Sequence, residues 1–175
     1  IITAIILGIG VSGLSLLWLL FADTALSGIG FIKESLEMMQ KVNASIKGGN
    51  LLFSALLTCI VGPIMEEILF RGLICGSLGK TTKIAWIPIF ISALVFGIWH
   101  GIFVQGVYAF FMGLVTGYAY HKTRDLRWPI IIHVVNNTFS MLMLISGVTA
   151  APLLDILAVV MVIPSAYILY RISSD

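Results

Sequence analysis

From Leu51 to Leu78 the chain carries no charge except Glu66, Glu67 and Arg71. The run is longer than the ~20 apolar residues that cross a bilayer. An ionisable group at membrane depth costs about 2.5–3.5 kcal/mol on insertion scales. A chain that keeps three of them there must fold so that they satisfy one another, or some other group inside the bundle.

Composition removes the soluble alternatives. The residues are 59% hydrophobic and 10% charged, against about 25% charged in a typical soluble domain. Mean hydropathy is +1.09. A water-soluble fold of 175 residues cannot hide that much apolar surface, so the bilayer must be the solvent for most of it. The expectation is an all-α, polytopic transmembrane bundle forming one membrane-embedded domain over residues 1–175. Net charge is only +2, which gives no basic face for nucleic acid. Cys59 and Cys75 fall sixteen residues apart on one continuous helix, too far for a disulfide. They read as small buried hydrophobes.

Six spans are predicted: Ile1 to Ala22, Asn50 to Leu78, Ile84 to about Ile102, Phe103 to Tyr120, Trp128 to about Ser146, and Pro152 to Tyr170. The first is too long and too poorly flanked for a cleaved signal peptide. Residues 23–49 differ. Ile32, Leu36, Met39, Val42 and Ile46 recur at steps of three or four, with Lys33, Glu34, Glu37 and Lys41 on the other side. That is an amphipathic connector, too polar to span, which lies on the interface or caps the bundle. Pro63 should kink the second span just before the acidic pair. Ala109, Gly113 and Gly117 form a small-residue stripe suited to close helix contact, and Gly72/Gly76 and Gly97/Gly101 share its spacing.

The loops at 79–83 and 121–127 each carry net +2, whereas residues 23–49 balance three lysines against three acids. By the positive-inside rule the two basic loops are cytoplasmic, with both ends of the chain, and 23–49 lies opposite.

The spans hold few ionisable groups: Glu66, Glu67, Arg71, His100, His133 and Asp155, with Asn137 as an uncharged polar partner. Asp155 lies near a helix start, where an anion suits the dipole. Glu67 and Arg71 stand at i and i+4 and can pair. Glu66 points about 100° away, so His100 or His133 on another span must satisfy it. His133 and Asn137 again stand at i and i+4. A carboxylate beside an imidazole can take a proton from water. A second imidazole and an amide can hydrogen-bond an oxyanion. No serine or cysteine stands beside them at motif spacing as a covalent nucleophile. Two His and one Glu also form a catalytic zinc set (Glu66, His100, His133), although HExxH is absent, so a metal-free site and a Zn2+ site both remain open. Depth counts at about 1.5 Å per residue from the basic-loop side put His133 near 8 Å, Glu66 near 18 Å and His100 near 24 Å. For one site to form, the third span must tilt or begin deeper, or the fifth must begin deeper.

Three motifs stand in order: Glu66-Glu67-Ile68-Leu69-Phe70-Arg71 as EExxxR, Phe96-Gly97-Ile98-Trp99-His100 as FxxxH, and His133-Val134-Val135-Asn136-Asn137 as HxxxN. Over about residues 60 to 145 the chain resembles the CAAX protease and bacteriocin-processing (CPBP, or Abi) family of intramembrane proteases, which includes the Ras-converting endopeptidases. The resemblance implies a catalytic core at about 50–146 with its cavity open to the cytoplasm. It implies that Glu66 and His100 activate water, that His133 and Asn137 stabilise the oxyanion, and that Glu67 and Arg71 support the site. The family has been described both as metalloproteases and as glutamate-type proteases. The implied partner is a peptide or protein substrate, lipidated or not. Six spans, against the eight of the Ras-converting members, fit a bacterial member acting on a peptide or in bacteriocin self-immunity. A non-catalytic membrane regulator of the same fold is the main rival. A proton-coupled transporter, the third class, lacks the expected inverted repeats.

Overall fold

The computed structural model describes residues 1–146 and 150–174, and every regular element among them is helical. The helices are α1 (Ile2–Ala25), α2 (Gly30–Gly48), α3 (Leu51–Leu78), α4 (Trp86–Trp99), α5 (Phe103–Thr123), α6 (Arg127–Ile145) and α7 (Ala151–Ser174). By length and composition α1, α3, α6 and α7 can each cross a membrane. The polytopic helical bundle therefore stands, but two of the six expected spans, the third and the fourth, are not among these four helices, and the third lacks spanning length. α4 has 14 residues, or about 21 Å, and stops just before His100. α5 extends to Thr123, so His121 and Lys122 belong to its last turn rather than to a loop. The outer faces are apolar: Leu52 is 81% exposed and Ile163 75%, as lipid contact allows and water does not.

α1 is central. Gly8 lies against Ile132 and Val135 of α6, while Gly13 meets the Ala158 backbone of α7. The small-residue stripe of α5 faces α4, with Gly113 against Ala93 and Gly117 against Ile89. An added Cβ at Gly97 would lie 2.7 Å from Gly106 O, so these backbones touch as small-residue interfaces allow. Gly101 is different. Its φ is +70° and a Cβ there would meet open space, so it makes the turn between α4 and α5 rather than a packing contact.

α2 presents its apolar side inward, with Ile32 packing on Ala22 and Val104, and exposes Lys33, Glu34, Glu37 and Lys41. Ser35 Oγ accepts the Val104 N–H at 2.9 Å, satisfying one of the unpaired amides at the α5 start. Trp18 Nε1 donates to Val104 O at 2.9 Å. The Ser35 bond fixes α2 to one end of the bundle, and the Trp18 bond ties α1 to the start of α5. At the other end a Cβ on Gly79 would lie 3.9 Å from Arg124 Nη1, so the two basic loops are neighbours.

α3 is not a uniform α-helix. It contains π-helical turns over Leu57–Val61 and Ile68–Cys75. Where the sequence predicts a kink at Pro63, the Gly62 N–H reaches back to Leu57 O. The Thr58 carbonyl thereby loses its α-helical donor, and the donor one residue further on is Pro63, which has no N–H.

The His133 part of the depth conflict resolves through α6. A Cβ on Gly72 would lie 3.4 Å from the Leu126 side chain. The residue preceding α6 thus sits beside Gly72 rather than beside Leu78, about 9 Å deeper. That offset brings His133 level with Glu67.

Candidate active site

Glu67 and Arg71 are both fully buried. Arg71 Nη1 donates to Glu67 Oε1 at 2.8 Å. His133 Nδ1 lies 2.8 Å from the same oxygen, and because a carboxylate accepts, Nδ1–H is the donor. The Arg71 guanidinium also lies over the Phe96 ring, 4.5 Å from its centroid, a cation–π contact in a site without water access. Thus the i, i+4 pair read from the sequence exists, and it additionally orients a histidine from α6.

Glu66 points elsewhere, as helix geometry requires. Its side chain is 27% exposed and its Oε2 lies 3.6 Å from His133 Nε2, longer than a direct hydrogen bond. Of the two histidines considered as its partner, His133 is the one at short range. Its ring stands between the two carboxylates, with one nitrogen toward each.

His100 follows the last residue of α4. Its Nδ1 lies 2.8 Å from Phe96 O. A carbonyl only accepts, so Nδ1 carries the proton and Nε2 is left with its lone pair. His100 is close enough to Glu66, Arg71 and His133 to interact electrostatically with all three. Phe96 holds the group together, meeting His100 edge-to-face at 4.7 Å and His133 at 5.7 Å.

Asn137 Nδ2 donates to Thr58 O at 2.9 Å. This is the carbonyl left without a helical donor before Pro63. Asn136 Nδ2 donates to Asn137 Oδ1 at 2.9 Å, and Ser12 Oγ donates to Asn136 Oδ1 at 3.1 Å. Asn136, Ser12 and Thr58 were not singled out from sequence as site residues, and Phe96 entered only as the first position of FxxxH, without a role. Pro63 carried the one available signal, since a helical proline leaves a carbonyl unpaired in the preceding turn.

A cavity of about 480 Å³ has His100, His133 and Asn137 in its wall, together with Met39, Val42 and Ile46 of α2. Asp155 also lines it. That residue lies near the start of α7 but beyond its first turn, so it is a wall residue. The walls come from the halves of the helices nearest α2, the end opposite the two basic loops. Among the described residues no three His, Cys, Asp or Glu side chains gather closely enough to hold a metal ion.

A family model described as type II CAAX prenyl endopeptidase Rce1-like matches residues 48–139, just over half of the chain. A putative membrane peptidase of Bacillus subtilis is 35% identical over 88 residues, covering 50% of this chain and 36% of the relative. A membrane-embedded CAAX protease of Staphylococcus aureus is 39% identical over 85 residues, covering 46% of this chain and 34% of the relative. The matched segment is about a third of the length of each relative. No solved structure gives a significant match.

Proposed function

The chain belongs to the type II CAAX prenyl endopeptidase Rce1-like family, and from that premise we propose that it is an intramembrane endopeptidase that hydrolyses a peptide bond with water activated by Glu66. The observation that carries this reading is the placement of His133, with Nδ1 on Glu67 and Nε2 3.6 Å from Glu66. One carboxylate is fully buried as a support and the other is partly exposed for chemistry. That division of labour is what a site needs if one acid is to exchange protons with a substrate.

In this reading Glu66 takes a proton from water, and the oxygen attacks the scissile carbonyl carbon. His100 Nε2, held with its lone pair free, accepts the second hydrogen bond of that water and orients it. The carbonyl oxygen becomes an oxyanion and receives hydrogen bonds from the Asn137 amide and from Nε2–H of His133, which acts here as the imidazolium with its Nδ1–H kept on Glu67. The proton on Glu66 then passes to the leaving nitrogen as the carbon–nitrogen bond breaks. Arg71 and Glu67 touch no reacting atom; they hold the His133 ring in place.

The chain is an integral membrane protein, and its charges favour one orientation. Lys80, Lys83, Lys122, Arg124 and Arg127 cluster at one end against Asp125 alone, whereas lysines and acids balance on residues 23–49. The positive-inside rule places the basic end in the cytoplasm. The cavity then faces the other side of the membrane, and the substrate is a peptide segment presented there. This reading departs from the cytoplasmic opening implied by the family resemblance and rests on this chain's own charges.

Peptide cleavage by the purified full chain, with and without a strong chelator, tests the chemistry. Retained cleavage supports direct activation of water by Glu66. Loss that is restored by added Zn2+ favours the metal form. A Glu66→Gln protein that keeps its biological effect without cleaving anything favours the non-catalytic regulator.

A further inference from the structure

We propose that Asn136, held by Ser12, is a positioning residue that fixes which way the Asn137 amide faces. The inference rests on the oxyanion role of Asn137 and names what enforces it.

The hydrogen-bond polarity follows from the backbone. Pro63 supplies no N–H and Gly62 is committed to Leu57 O, so the Thr58 carbonyl needs an outside donor. A carbonyl only accepts, so the atom of Asn137 that faces it is Nδ2. Asn137 Oδ1 then points to Asn136 and only accepts, so Asn136 presents Nδ2. Asn136 Oδ1 therefore turns to α1, where the one Ser12 hydroxyl proton is shared among Asn136 Oδ1 at 3.1 Å, Asn136 O at 3.1 Å and Gly8 O at 3.2 Å. Each step leaves one orientation for the next amide. Asn137 Nδ2 has two N–H groups and spends one on Thr58, and the residue lines the cavity; the second N–H is free to meet a substrate oxygen. Asn136 is 5% exposed and Ser12 not at all, so water does not compete for these bonds. Ser12 lies on α1, outside residues 48–139, so the flanking helix takes part in the site.

The test compares Asn136→Asp, Ser12→Ala and Asn137→Ala in the full chain. Asn136→Asp keeps the shape but replaces the donor facing Asn137 with an acceptor. The probe is an internally quenched peptide that the unsubstituted protein cleaves. Side-chain amide resonances of ¹⁵N-Asn-labelled protein in micelles give a readout independent of turnover; the only other asparagines are Asn43 and Asn50. Asn137→Ala is expected to lower kcat by about 10²–10³-fold, as for loss of one oxyanion donor. Asn136→Asp is expected to lower kcat ~10–100-fold through misplacement of the donor, with KM within about twofold, and to move the Asn137 amide resonances. Ser12→Ala should act in the same direction with a smaller effect. If Asn137→Ala lowers kcat but Asn136→Asp and Ser12→Ala leave both kcat and the Asn137 resonances unchanged, the positioning role is overturned. If Asn137→Ala itself keeps full kcat, the oxyanion reading fails and this inference with it. Should Asn136→Asp not fold, Ser12→Ala carries both readouts, since it removes a single hydroxyl from a helix interior.

Discussion

His133 Nδ1 and Glu67 Oε1 lie 2.8 Å apart, and neither side chain has more than 1% of its surface exposed. The contact joins α6 to α3 through the one buried carboxylate that also holds Arg71. Three charged or chargeable side chains thus share a single oxygen, and each depends on the other two.

Removing Glu67 should therefore cost more than a surface ion pair does. Glu67→Ala leaves Arg71 buried without its acceptor, a loss of about 3–5 kcal/mol for a broken buried pair. Chemical unfolding in detergent micelles measures it. The double change Glu67→Leu with Arg71→Met is expected to recover most of that stability. Cleavage is not expected to return, because His133 has lost its anchor.

Pro63→Ala should separate stability from activity. The substitution restores a backbone N–H, so the Thr58 carbonyl gains an intrahelical donor and α3 can close its π turn. Unfolding resistance is expected to stay level or rise, since proline in a helix interior costs about 3 kcal/mol. Cleavage is expected to fall, because Asn137 loses the carbonyl that orients it. A variant with both properties unchanged contradicts the part given to the π turn.

Much of the site was legible because charge in an apolar run is costly. Glu66, Glu67 and Arg71 announced themselves that way, and the i, i+4 spacings placed Glu67 with Arg71 and His133 on the face of Asn137. The parts that were not legible depend on three-dimensional register. Nothing in the sequence says that Leu126 packs beside Gly72, yet that offset carries His133 to the level of Glu67. Phe96 is legible only as the first position of FxxxH; its role shows once the rings of His100 and His133 and the Arg71 guanidinium are seen around it. Asn136 and Ser12 acquire meaning only from the Thr58 carbonyl, which lies on a different helix from either of them. The turn at Gly101 was mistaken for packing because its spacing from Gly97 is the same in either role.

Gly97→Ala should loosen the α4–α5 contact. The new Cβ would lie 2.7 Å from Gly106 O, and a backbone atom cannot step aside as a flexible side chain can. A loss of roughly 1–3 kcal/mol is expected from overpacking of this kind. Gly28→Ala, where a Cβ meets nothing within 4 Å, is the control expected to leave the unfolding midpoint in place. Because His100 follows α4 directly, cleavage should weaken in the first variant and not in the second.

Orientation can be read with single cysteines, since native Cys59 and Cys75 are buried. Ala44 on α2 and Thr81 in the first basic loop are both exposed. On intact cells a membrane-impermeant maleimide is expected to label Ala44→Cys and to leave Thr81→Cys unlabelled until the cells are opened. The reverse pattern places the cavity on the cytoplasmic side and overturns the orientation proposed from the loop charges.

The most direct test of the central claim is the peptide-cleavage rate of Glu66→Gln in the purified full chain, set beside its unfolding midpoint. Gln keeps the size and hydrogen-bonding reach of Glu66 but cannot take a proton from water. Cleavage is expected to fall by about 10²–10⁴-fold, the usual contribution of a general base, while the unfolding midpoint stays near that of the unsubstituted protein. A Glu66→Gln protein that is folded and cleaves at the full rate contradicts the account.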